Sequence, residues 1–226
     1  MRHYTTALLA LALTAGVIAP ASASSNASSR LSARAALLRL ADFPSHWTTS
    51  PYSSSNGNLG DAQVAACLGV PTSFIAYNPP QVNSPEFDQR STGLSVNDSV
   101  ALFPNAKVLS EQFQLFSSAR AAVCFGRVFN SATMKKQLEH QMGPGATMGH
   151  VTVTRSARPP GHDQSAAITV IMPITVNATT LTISMEMAII VSKLRAATLT
   201  FLSTTGLAFP ASLARHLEAV SAQRLN

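Results

Sequence analysis

The sequence predicts an α+β fold, a single antiparallel sheet flanked by helices, and three observations predict it. The C-terminal third alternates apolar and polar residues through successive segments. The links between those segments are too short for parallel crossovers. Strand and helix patterns come in runs along the chain, which places helices against an antiparallel sheet rather than between parallel strands. Of the 226 residues, 46% are hydrophobic and only 12% charged, with a mean hydropathy of +0.18. That supplies a core and excludes a disordered polyelectrolyte. Glycine (11) and proline (13) are too few for a collagen-like or low-complexity chain.

Met1–Ala23 reads as a secretory signal peptide: Arg2 and His3, then the apolar Ala7–Ala19, then the A-x-A site Ala21-Ser22-Ala23. The apolar run of about 13 residues is short for a bilayer core of roughly 30 Å; an N-terminal membrane anchor is the alternative. The longest later apolar region, Ile168–Ile190, is interrupted by threonines, Pro173 and Glu186. The mature chain is therefore expected to be secreted, or at least extracytoplasmic, and not membrane-spanning after signal cleavage. Residues 24–29 are expected to form a flexible linker and residues 30–226 a single domain.

Within that domain, Arg30–Ala41 has helical spacing at Leu31, Ala35 and Leu38, and Pro44 ends it. Trp47, the single tryptophan, follows in a helix-ending turn and is expected to be a structural anchor pinning the loop onto the sandwich. Asp61 is placed as the cap of a short helix, Ala62–Leu68, that stops at Gly69. Val70–Val82 reads as irregular. Ser84–Arg90 and Leu94–Phe103 read as adjacent strands, with a bulge expected at Asn97-Asp98. Asn105–Cys124 reads as one amphipathic helix with Ala106, Leu109, Phe113, Phe116 and Val123 on its stripe, and Ala132–Met142 as a second. Met148–Ser156 alternates modestly. Ile168–Val176, Leu181–Val191 and Ala197–Phe201 then alternate, so a period of two sends one apolar face to the core. Pro173 requires an edge or a bulge. Pro210 opens a last helix to Leu225.

Two cysteines, Cys67 and Cys124, in an exported chain favour a disulfide; two buried free thiols are the alternative. Closing a loop of about 57 residues is worth roughly 4 kcal/mol on the chain-entropy estimate. No C-x-x-C or H-x-x-x-H spacing is present, so no metal site is expected. The charge is +6, but the bases are scattered, without the clustered stripe that nucleic acid requires. G-x-S-x-G and H-E-x-x-H are absent, and Gly143–Gly149 lacks phosphate-loop spacing. No cofactor is expected and no catalytic residue is assigned. Glu186 is the odd residue of the meander. With Thr169, Thr182, Ser184, Thr198 and Thr200 it is expected to line one weakly polar face, read either as a solvent-facing sheet surface or as the floor of a ligand groove.

Several pieces together carry a family likeness: Leu37–Trp47 (LLRLADFPSHW), Ala66-Cys67-Leu68-Gly69, Ser84-Pro85-Glu86-Phe87, Ser99–Pro104 (SVALFP), Cys124 ending a helix, and the closing meander plus helix. Over roughly Leu31–Leu225 the chain resembles the extracellular sensor domain of PknH-type bacterial Ser/Thr kinases and related secreted or lipid-anchored envelope proteins. The resemblance implies a PsbP-like α/β sandwich with a groove, and a binding role rather than catalysis. The chain departs from the kinases in having no kinase domain, no transmembrane helix and one cysteine pair. A stand-alone, non-catalytic binding or sensor-like module for a small molecule, a lipid or an envelope protein is the expectation. A secreted hydrolase with an unrecognised Ser/His/Asp site is the alternative.

Overall fold

The structure, a computed structural model, describes residues 26–52, 60–156 and 164–226. The signal peptide, its cleavage site and Ser24 and Ser25 of the expected linker lie outside the described residues. Among those described, nine strands form one sheet: β1 (Thr48–Ser50), β2 (Gln81–Asn83), β3 (Glu86–Gln89), β4 (Leu94–Leu102), β5 (Ala146–Met148), β6 (Thr152–Ser156), β7 (Ser165–Val176), β8 (Thr179–Ser192) and β9 (Arg195–Ser203). The order is β1-β3-β4-β9-β8-β7-β5, with β2 also on β4 and β6 also on β7, and all pairings are antiparallel. The helices are α1 (Asn26–Ala36), α2 (Asp61–Leu68), α3 (Thr72–Ile75), α4 (Ala106–Ser117), α5 (Ala119–Phe129), α6 (Ala132–Met142) and α7 (Ala211–Leu225).

The meander β7-β8-β9 is the centre of the sheet. Asn177 and Ala178 link its first hairpin with φ of 49° and 64°, the twist that a two-residue turn needs to return the chain. Both faces of the sheet are covered. On one, α1 and α7 enclose Val96, Val100, Leu199, Phe201 and the aromatic group Phe43, Trp47, Phe87 and Phe209. On the other, α2, α5 and α6 enclose Phe125, Leu138, Val170, Met172 and Met185, and α4 sits over Val191 and Ala196.

Several boundaries differ from the sequence reading, each for a local reason. The first helix starts at Asn26, inside the expected linker, and stops at Ala36. Beyond it the Asp98 carboxylate accepts from the Leu38 N–H at 2.9 Å, and a single 3-10 turn covers Leu40–Asp42. Leu31 is 66% exposed, because Ala33, Ala36, Leu37 and Leu38 form the buried set instead. Asp61 does not cap α2: Gly60 takes that position at φ 91°, and the Asp61 carboxyl is buried, which raises its pKa.

The long central helix is two helices. Ser118 leaves helical geometry at ψ 150°; its hydroxyl donates to the Leu115 carbonyl and accepts from the Ala121 N–H, capping α5. The break rotates the stripe, so Val123 is 60% exposed and Cys124 lies within α5 rather than at a helix end. The expected bulge lies across the ladder. β4 pairs without interruption with β9, whereas the β2 and β3 registers against β4 differ by one residue. The extra residue falls at Ser84-Pro85, where Ser84 N–H donates to the Asp98 carbonyl and Ser84 Oγ accepts from the Asp98 N–H. Pro173 sits in β7 between the parts of the edge taken by β5 and β6. Its carbonyl accepts from Gly149 on that outer side. The N and C=O of one strand residue point the same way, so the missing N–H removes no bond to β8.

Candidate functional site

The six residues expected to line one face do not share it. Residues opposite each other in an antiparallel pair project to the same side. Thr169 lies opposite Glu186, and Glu186 opposite Phe201. Thr182 and Ser184 follow Glu186 on β8, so these four face α1 and α7. Thr198 lies opposite Ile189 and Ser99, and Thr200 opposite Met187 and Asn97, so these two face α4. The β8–β9 register pairs even-numbered with odd-numbered positions, and alternation within each strand cannot reveal that.

On the Glu186 side, described residues pack over most of these positions. Thr169 Oγ1 donates to Glu186 Oε2 at 3.5 Å, and Ser156 and Thr169 share a hydroxyl hydrogen bond. Ser184 is buried opposite buried Ser203. The chain after β9 passes over Thr182, whose Cβ lies 3.6 Å from the position a side chain at Gly206 would occupy. Phe209 then packs on Phe201, with ring centroids 5.0 Å apart, and near Trp47 at 6.4 Å. Trp47 is 6% exposed and also meets Phe43 at 4.8 Å.

A cleft opens on the opposite face, beneath α4, with a volume of about 190 Å³. Its floor is sheet: Ser99 and Ala101 of β4, Thr198 of β9, Met187 and Ile189 of β8, and Ile168 of β7. Phe113 and Phe116 of α4 and Phe125 of α5 form one wall; Ile75 at the end of α3, with Tyr77 and Pro79 after it, forms the other. Phe116 and Phe125 stack with ring planes 8° apart and centroids 6.0 Å apart. Among the described residues no charged side chain lines the cleft.

The local sequence explains why α4 stands over the sheet. Asn105 caps it, its Oδ1 accepting from the Val108 N–H, and Ser118 ends it. Buried Gln112 donates from Nε2 to the Phe74 carbonyl at 2.7 Å, tying α4 to α3 across the cleft. Burial raises the Tyr77 phenol above its usual pKa. The disulfide Cys67–Cys124 joins α2 to α5, with S–S 2.03 Å and Cα–Cα 5.7 Å. It anchors the segment that carries Ile75 and Tyr77 to the helix that carries Phe125. Arg120 Nη2 donates to the Cys67 carbonyl at 2.9 Å on the same side.

The acid–base inventory lies elsewhere. His46, His140, His150 and His216 are exposed. No three His, Cys, Asp or Glu side chains gather as a metal site among the described residues, and no helix there is long and apolar enough to cross a membrane. One buried titratable centre lies under α1. Asp98, 1% exposed, has its pKa pushed up to about 7 by burial, against the pull of the Leu38 N–H and the Arg224 charge. Arg224 is held by Asp42 through two contacts of 2.7 and 2.8 Å and donates to the Leu37 carbonyl. Burial raises the Asp42 pKa, but the Arg224 hydrogen bond, the Arg39 N–H and both guanidinium charges outweigh it and leave it lowered.

The cleft was not read from the sequence. Its lining residues, Met187 and Ile189 above all, belong to the apolar set of β8, which alternation alone sends to the core. The available signal was the aromatic density of Phe103, Phe113 and Phe116 around the α4 pattern. No protein-family model matches the sequence, and no curated protein does. Among solved structures, the extracellular domain of PknH from Mycobacterium tuberculosis is similar at 14% sequence identity over 87% of this chain and 94% of that chain, with a TM-score of 0.33. At that TM-score the likeness transfers neither a residue nor a ligand.

Proposed function

We propose that this chain is an exported, non-catalytic binding module that holds a small molecule or lipid in the cleft beneath α4. The observation that carries the reading is the lining: aromatic and aliphatic walls over a sheet floor with a few hydroxyl and amide groups, and no described acid, base and nucleophile converging on it. Concave apolar sites with a few placed polar groups are the common form of small-molecule sites. The disulfide supports an oxidising, extracytoplasmic compartment. The exposed positions of the described histidines favour this reading over a hydrolase.

The test is native mass spectrometry of protein secreted into the medium, beside an Ala101→Phe variant that fills the cleft from its floor. A retained mass adduct on the wild type, absent from the folded variant, is the expected result. An adduct equally present on both, or hydrolysis of ester substrates by the wild type lost in the variant, overturns the reading.

A further inference from the structure

The floor of the cleft carries polar side chains to which no described residue hydrogen-bonds. Asn83, Ser99 and Thr198 lie opposite one another across β2, β4 and β9, so all three project to the side of the sheet that α4 covers. Ser99 and Thr198 line the cleft. Neither hydroxyl hydrogen-bonds to another described residue. Asn83 continues the row behind Ser99, and its Oδ1 is buried without a partner. Most buried acceptors in folded proteins find a partner. At the other end, Phe116, Phe125, Ile168 and Met187 offer only carbon, sulfur and ring faces. The cleft thus has a polar end and an apolar end, and no charge at either among the described residues.

Resting on the binding reading above, we propose that the ligand is an uncharged amphiphile. Its apolar chain or ring lies between Phe116, Phe125 and Met187, and its hydroxyl or amide end lies on Ser99 and Thr198. Neutrality follows from the lining. A carboxylate, phosphate or ammonium group inside would lose its hydration with no opposite charge to replace it, and that cost excludes it. The volume of about 190 Å³ bounds the enclosed part. An apolar cavity of about 150 Å³ accepts one benzene ring, so the enclosed part is a short chain or a single ring, with any remainder of a longer molecule outside the mouth.

Isothermal titration of the folded, disulfide-bonded chain with 1-octanol, octanoate and octylamine tests this, with Thr198→Val and Thr198→Ser as variants. The expected order is octanol first, with both charged homologues at least about tenfold weaker. Thr198→Val is expected to weaken octanol roughly three- to tenfold, the loss of one hydrogen bond, and Thr198→Ser to restore it. Binding of none of the three compounds overturns the binding reading itself. Octanoate or octylamine binding as tightly as octanol overturns only the neutral ligand class. Octanol binding that Thr198→Val leaves unchanged overturns the placement of the polar end.

Discussion

Replacing Asp98 with asparagine removes a charge from the interior while keeping a carbonyl oxygen for the Leu38 N–H. In the native fold that carboxyl is 1% exposed, has one oxygen on Leu38 and leaves Oδ1 without a partner. Its pKa rises from 3.8 to about 7, chiefly through burial. A carboxyl raised in this way is protonated in the fold at a pH where the unfolded chain is ionised. The native state then binds more protons than the unfolded one between about pH 4 and pH 7, so stability falls as pH rises through that window. The full displacement corresponds to a penalty on the order of 4 kcal/mol above pH 7. The asparagine amide would be a buried donor without an acceptor, a cost of about 1–3 kcal/mol. Asp98→Asn is therefore expected to stabilise the chain by roughly 1–3 kcal/mol at pH 8 and to give little or no gain at pH 5. Urea unfolding at the two pH values measures both differences. Asp42 works in the opposite sense: its lowered pKa gives stability that is present above about pH 4 and lost as pH falls further. An asparagine variant less stable than wild type at both pH values, with a parallel pH dependence, would refute the reasoning. It would mean that the Asp98 charge is held favourably by Arg224.

Three further outcomes follow from the packing. Cys67→Ser with Cys124→Ser opens a loop whose ends are 57 residues apart and should cost about 4 kcal/mol in urea unfolding; an unchanged midpoint under non-reducing conditions would contradict the structural role of the bridge. Trp47→Ala empties a site shared with Phe43 and Phe209 and should cost about 3–5 kcal/mol, read as a large fall in melting temperature with octanol affinity unchanged; the reverse pattern would make Trp47 a ligand contact. Glu186→Gln should leave ligand retention by native mass spectrometry unaltered, because Glu186 faces α1 and α7; loss of the adduct would move the site to that face.

The legible parts of this fold are those where one local pattern decides the outcome. The three strands of the meander, the helix Ala132–Met142 and the last helix were all marked by periodicity and by turn or cap residues. The break at Ser118 was not, because a serine continues an amphipathic pattern as readily as it caps a new helix. The displaced bulge was not either: Asn97-Asp98 disturbs the apolar pattern of β4, yet the extra residue belongs to the partner strand, where Pro85 interrupts the ladder. For the site, alternation identified which residues of each strand go together but not which sets meet across strands. Register depends on the hairpin links, and the one between β8 and β9 placed Thr198 and Thr200 with Met187 rather than with Glu186. Both faces of the sheet are covered, so apolar residues on either one read as core. The cleft exists because α4 stands over its strands with Gln112 braced on the Phe74 carbonyl, a contact 38 residues apart in sequence.

The central claim, that the cleft beneath α4 is where a ligand binds, is tested most directly by methyl-resolved NMR of the chain titrated with 1-octanol. Leu109, Met187, Ile189 and Val191 line the cleft. Ile171, Ile190 and Leu199 lie on the opposite face by register. Saturable shifts confined to the first group are the predicted result. Shifts centred on the second group, or none at all at millimolar octanol, would contradict it.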